Sequence, residues 1–131
     1  MAKSTRVRIV DTDRLIKIYR GDKEKQKVIA PIQDHLAISF IMAIELMAGA
    51  KTIKKQYKVA KTLKAYELIE ASPMISKTAL VLSRRYGMLH TIGVADMLIA
   101  ATAIVSDLPL YTDNIQDYNF IDGLVLYKPA Q

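Results

Sequence analysis

Short runs of apolar residues alternate along the chain with longer segments in which apolar residues recur every three or four positions. The runs at 7–10, 36–39 and 110–111 are β-branched or bulky and stop at a polar residue, as buried strands do. A last run at 124–127 has the same character. These four runs predict the strands of one sheet.

The segments between the runs have helical periodicity. The longest, 51–70, contains neither Gly nor Pro and predicts one long amphipathic helix. Four apolar residues fall on its inward stripe: Ile53, Tyr57, Ala60 and Leu63. The other predicted helices are the segment from Asp11 to Gly21, 41–47, 77–86 and 96–105.

Strands that alternate with helices favour an α/β fold with a mainly parallel sheet covered on both faces. Ligands of such sheets bind beyond the carboxyl ends of the strands. Asp11 and the polar turn 112–117 each follow a predicted strand directly, so we expect them to share that edge.

Composition narrows the class of protein. The 131 residues match one domain, 1–131, and an apolar fraction of 51% excludes disorder. Because the chain has no Cys, disulfides, thiolate metal sites and thiol nucleophiles are excluded. The first residues lack the apolar region of a signal peptide, and the longest apolar stretch, 36–50, is too short to span a bilayer. We therefore expect a cytoplasmic protein without a membrane partner.

Three acids lie at or within runs of apolar residues, where an ionised carboxylate is costly without a partner: Asp11, Glu45 and Asp96. The turn 112–117 adds Asp113, Asn114 and Asp117 as further oxygen donors. Singly, each acid could cap a helix, pair with a helix dipole or reach solvent. Together they favour a divalent cation with oxygen ligands, Mg²⁺ or Mn²⁺.

The ordered set of motifs resembles the PIN-domain ribonucleases, and within them the VapC-type toxins of toxin–antitoxin pairs. The matching segments are Val10 to Asp13 with Leu15 and Ile16, Ile38-Ser39, Ala43 to Leu46 with Gly49, Ala95 to Ala103, and Leu108 to Thr112 with Asn114, Asp117 and Tyr118. The resemblance implies a three-layer α/β/α sandwich with a central sheet of four to five strands. It also implies Mg²⁺- or Mn²⁺-dependent RNA cleavage, a homodimer and an antitoxin partner.

The same resemblance groups Asp11, Glu45 and Asp96 as an acidic cluster and favours Asp117, assisted by Asn114, as the fourth catalytic acid. We expect Asp11 and Asp96 to hold the principal metal ion and Glu45 to orient or deprotonate the attacking water. Asp117 is expected to complete a second metal position, to which the substrate phosphate also contributes. Residues expected beside these ligands are Thr12, Asp13, Thr112 and Asn114. Position 13 is commonly Asn or Ser in the family, so Asp13 adds negative charge there.

A second feature is a run of lysines without an intervening acid, at Lys51, Lys54, Lys55, Lys58, Lys61 and Lys64. Their charge equals the net charge of the chain, +6, so the excess is concentrated on one predicted helix. Such a face fits the phosphate backbone of RNA, and a solvated lysine face is the simpler interpretation.

Two other functions compete with the nuclease. The Asp11-Thr12-Asp13 triplet also resembles the motif of haloacid-dehalogenase-like phosphatases, with Asp11 as the nucleophile, but that chemistry gives Glu45 no role. A non-catalytic PIN module that binds RNA or a partner is the other alternative.

Overall fold

The computed structural model describes residues 8–10 and 36–127 of the chain. Its elements, in chain order, are β1 (Arg8–Val10), β2 (Leu36–Ser39), α1 (Phe40–Gly49), α2 (Ile53–Leu63), β3 (Glu67–Ile69), α3 (Pro73–Tyr86), α4 (Val94–Ser106), β4 (Leu110–Tyr111) and a 3-10 turn (Ile115–Asp117). The helix predicted between Asp11 and Gly21 lies outside the described residues. Within the described part of the chain, no helix is both long and apolar enough to cross a membrane.

The strands form one sheet in the order β3-β2-β1-β4, and every pair is parallel. Ile9 lies opposite Leu110, and Val10 lies opposite Tyr111. The predicted strand 124–127 contributes one parallel bridge, between Leu126 and Leu110. The expected parallel sheet of four to five strands is thus confirmed.

Successive residues of β1, β2 and β4 enter different cores, because side chains of a strand alternate between the two faces of its sheet. Ile9, Ala37 and Leu110 pack in one core with residues of α3 and α4. Val10, Ile38 and Tyr111 pack in the other with Met42 of α1. Helical residues therefore cover both faces, which confirms the predicted three-layer α/β/α arrangement.

The single helix predicted over 51–70 is wrong. Helix α2 ends at Leu63, and Glu67–Ile69 form the edge strand β3, which pairs with β2. A three-residue strand with no apolar alternation carries almost no local signal, so the backbone hydrogen bonds to β2 decide its conformation.

The predicted inward stripe of this helix is also wrong. Ile53 and Tyr57 are 81% and 78% exposed, and Val59 is the buried residue of α2. Apolar residues at 53 and 57 and at 59 and 63 have the same helical spacing, so the sequence supports two stripes. Packing of Leu63 beside Met42 turns the second stripe inward.

Helix α3 begins four residues before the predicted position 77. Ser72 caps it, accepting a hydrogen bond from the Ile75 backbone N–H at 3.2 Å. Pro73 occupies the first turn, where its missing N–H costs nothing.

Candidate active site

The parallel strands bring their carboxyl ends to one edge of the sheet. Ser39 ends β2 at this edge, and its hydroxyl accepts a hydrogen bond from the Met42 N–H at 3.2 Å, so α1 begins there directly. Thr112 follows the end of β4. Of the residues predicted for this edge, Asp11, Thr12 and Asp13 lie outside the described part of the chain.

Asp96 lies in the first turn of α4 and is half-buried. Its Oδ1 atom accepts a hydrogen bond from the Tyr118 hydroxyl at 3.1 Å. Gly93, the residue before the helix, provides no side-chain cap, and Asp96 is the acid of this first turn. The positive end of the helix dipole therefore favours a negative charge at Asp96.

The turn after β4 is built by its own polar residues. The buried Thr112 hydroxyl accepts a hydrogen bond from the Asn114 N–H at 3.0 Å, and the 3-10 turn follows. Asp117 ends that turn with an exposed side chain, while the next residue, Tyr118, is buried in the core. The turn thus directs an acid to solvent and the neighbouring ring inward.

Glu45 lies in the middle of α1, and its side chain is exposed. Helix α1 contacts α4, so the helices that carry Glu45 and Asp96 are neighbours. The expectation that Glu45 would be a costly buried acid is wrong, because positions 44 and 45 both lie on the exposed side of α1, whereas Met42 is its buried residue.

The described residues do not form a complete metal site by themselves. Among residues 8–10 and 36–127, no three His, Cys, Asp or Glu side chains lie close enough together to hold an ion. Glu45, Asp96 and Asp117 are therefore not joined into one such cluster within these ranges, and Asp11, the remaining acid of the predicted set, lies outside them. The donors themselves are carboxylate, amide and hydroxyl oxygens, which suit Mg²⁺ or Mn²⁺.

The predicted RNA-binding lysines are all exposed. Lys54, Lys55, Lys58 and Lys61 belong to α2, Lys51 precedes this helix and Lys64 follows its last turn. Because Ile53 and Tyr57 are exposed as well, apolar and basic side chains share the surface of α2.

The structure adds Tyr118, which the sequence offered only as part of a motif. The hydrogen bond from Tyr118 to Asp96 spans 22 residues, and neither residue predicts the other by spacing. The available signal was an aromatic residue with a hydroxyl directly after the acidic turn, and this signal alone is not specific.

Comparison with known proteins identifies the class. The PIN domain family matches residues 8–119. The chain therefore belongs to the PIN domain family, as its motifs predicted.

Two proteins similar in sequence to this chain are named as VapC ribonucleases. The chain is 35% identical over 119 residues to ribonuclease VapC10 of Mycobacterium tuberculosis, covering 88% of this chain and 89% of the relative. It is 31% identical over 127 residues to ribonuclease VapC1 of Rickettsia felis, covering 88% and 91%.

Solved structures agree with this grouping. A toxin–antitoxin complex from Klebsiella pneumoniae contains a chain with 29% identity and a TM-score of 0.77, covering 92% of this chain and 98% of that one. VapBC2 from Rickettsia felis, bound to a DNA fragment from its promoter, gives 25% identity and a TM-score of 0.81, covering 92% and 97%.

Proposed function

We propose that this chain is a metal-dependent endoribonuclease, the toxin of a type II toxin–antitoxin pair, that acts in the cytoplasm. Membership of the PIN domain family supports the activity, as do relatives named ribonuclease VapC. One observation carries the assignment to a site: Asp96 stands in the first turn of α4, beside the turn that follows β4.

The oxygen donors of this edge fit Mg²⁺ or Mn²⁺. Asp11 and Asp96 would hold the principal ion. Asp117 would complete a second metal position together with the substrate phosphate, and Glu45 would orient the attacking water. A bound ion of this kind lowers the pKa of water and neutralises charge that develops on a phosphate.

The residues of the chain supply the other parts of the reaction. Glu45 is exposed, so its carboxylate can accept a proton from the attacking water and release it to solvent. Thr112 and Asn114 hold the turn after β4 through their mutual hydrogen bond. Asp13 and Thr12 are proposed to lie next to the ligands.

The lysines Lys51, Lys54, Lys55, Lys58 and Lys61 are proposed to bind the RNA backbone. Their exposure supports this role, as does the absence of any acid between positions 51 and 64 of the sequence. Displacement of counterions from RNA would make this binding depend on salt concentration.

Two partners complete the proposal. The similarity to chains of toxin–antitoxin complexes supports a cognate antitoxin protein.

A homodimer is proposed from the exposed apolar side chains of Ile44 and Ile53, on α1 and α2. Light scattering of the purified chain and of Ile44→Asp tests the dimer, which the variant should dissociate.

The experiment that tests the activity is an RNA cleavage assay on the purified chain. We expect cleavage of total RNA that stops with a chelator and returns when Mg²⁺ or Mn²⁺ is added in excess. Products should carry phosphate at one of the new ends.

Cleavage that persists in chelator would contradict metal dependence, and RNA binding without cleavage would favour the non-catalytic module. The haloacid-dehalogenase-like alternative gains no support from the comparisons, because the chain belongs to the PIN domain family.

A further inference from the structure

Tyr118 connects the turn after β4 to Asp96 of α4 through a hydrogen bond. Its hydroxyl donates to Oδ1 of Asp96 at 3.1 Å, while its ring is 1% exposed and packs in the core of α3 and α4. A buried ring has little freedom to move, so the position of its hydroxyl is fixed by the core.

The torsions of an Asp side chain do not by themselves fix the orientation of its carboxylate. The final torsion of an Asp side chain is broad, so a carboxylate held only by its backbone samples many orientations. Metal-ligating groups are commonly oriented by a second hydrogen-bonding partner. Tyr118 provides such a partner at one oxygen of the carboxylate, Oδ1.

Hydrogen bonds within the turn fix the backbone of Tyr118. Thr112 accepts from the Asn114 N–H, the Asp117 N–H donates to the Asn114 carbonyl at 3.0 Å, and the Tyr118 N–H donates to the Ile115 carbonyl at 3.1 Å. These short-range hydrogen bonds span the segment from the end of β4 to Tyr118. The Thr112 hydroxyl is the side-chain group among them, so its polar character has a structural role in the turn.

We propose that Tyr118 is a positioning residue, which fixes the orientation of the Asp96 carboxylate and thereby raises the affinity of the site for its divalent ion. The proposal rests on the proposed function, since it takes Asp96 as a ligand. It assigns Tyr118 no contact with RNA or with the reacting atoms.

The test compares two variants that each remove one buried hydroxyl. Tyr118→Phe deletes the donor to Asp96. Tyr86→Phe deletes a hydroxyl that accepts from the Asp122 N–H at 3.0 Å, in a ring that is also buried. Both variants keep the ring, so both should fold, and they should lose similar thermal stability.

Mn²⁺ affinity of the full chain without RNA is measured by electron paramagnetic resonance of the free ion. We expect the dissociation constant to rise by about 10-fold or more in Tyr118→Phe, and to stay unchanged in Tyr86→Phe. The Mn²⁺ concentration for half-maximal cleavage should shift by the same factor, with kcat at saturating Mn²⁺ close to that of the wild type.

Wild-type Mn²⁺ affinity in Tyr118→Phe would overturn the proposal, even if that variant melted at a lower temperature than Tyr86→Phe. A wild-type chain that cleaves RNA while Tyr118→Phe binds Mn²⁺ normally would leave the nuclease function intact. A wild-type chain that neither binds Mn²⁺ nor cleaves RNA would overturn both.

Discussion

The two regions that we propose to act on RNA are organised in opposite ways. The turn after β4 is fixed by internal hydrogen bonds and places Tyr118 against Asp96 from inside the core. Helix α2 instead carries exposed lysines on flexible stems. Chemistry at a single phosphate needs atoms held in a defined geometry, whereas attraction of a polyanion needs only a concentration of charge.

The largest effect is expected on RNA cleavage when the charge of Asp96 is removed, a change that leaves the lysines of α2 intact. Asp96→Asn should lower cleavage by about 100-fold or more, because loss of a ligand exceeds loss of a neighbouring hydrogen-bond partner. The amide oxygen can still accept from Tyr118, so the melting temperature should change little. Cleavage kinetics and a thermal melt check this, with RNA binding in chelator as the control for α2.

Retained cleavage in Asp96→Asn would end the assignment of this acid to the metal site.

The next effect concerns α2 and tests whether the position of its charges matters. Lys54→Gln with Lys58→Gln should weaken RNA binding and reduce the salt slope of log Kd by about 1.4, at roughly 0.7 per contact with single strands. Mn²⁺ affinity should not change. Fluorescence anisotropy of a labelled RNA at several salt concentrations measures the slope.

The matched control is Arg84→Gln with Arg85→Gln, which removes two charges from the exposed end of α3. If both pairs lowered the slope equally, only net charge would matter and α2 would have no particular role.

A smaller effect is expected inside the turn. Thr112→Val keeps the shape of this buried side chain but removes the acceptor for the Asn114 N–H. The loss should cost about 1 kcal/mol of unfolding free energy. Mn²⁺ affinity should fall less than in Tyr118→Phe, since the remaining turn hydrogen bonds still support the ring. Urea denaturation and Mn²⁺ titration test the two parts.

A drop in Mn²⁺ affinity larger than that of Tyr118→Phe would mean that Thr112 acts on the ion directly.

The smallest effect concerns Tyr66, whose N–H donates to the carbonyl of Leu63 at the end of α2 at 3.2 Å. Burial raises the pKa of the Tyr66 hydroxyl above its ordinary value of 10.0. The unfolded chain therefore loses this proton first, and stability present below pH 10 declines as pH rises through the folded-state pKa. Tyr66→Phe should remove part of this alkaline decline, which melting temperatures across that pH range would reveal. An identical decline in the variant would assign it to other groups.

The sequence predicted the elements whose signal is local. The buried strands 36–39 and 110–111, and the helix that begins near Asp96, follow from apolar runs and periodicity. Strand β3 was missed because Glu67–Ile69 become a strand only through pairing with β2. The inward face of α2 was wrong because two stripes fit its period and only contacts with another helix choose between them.

The same division holds at the candidate site. The sequence showed acids at or within apolar runs, and the family resemblance predicted that these acids form one cluster. The contact of Tyr118 with Asp96 depends on where two distant segments meet, which no spacing rule contains. The exposure of Glu45 likewise depends on how α1 packs.

Strand β4 has only two residues, and they enter different cores: Leu110 packs with α3 and α4, and Tyr111 packs with α1. Tyr118 then returns to the core of Leu110. Deleting one residue of β4 would therefore move a large side chain to the opposite core, and deleting one residue of the turn 112–117 would withdraw the phenol from Asp96. Changes of chain length in this stretch are far less tolerable than changes of side chain.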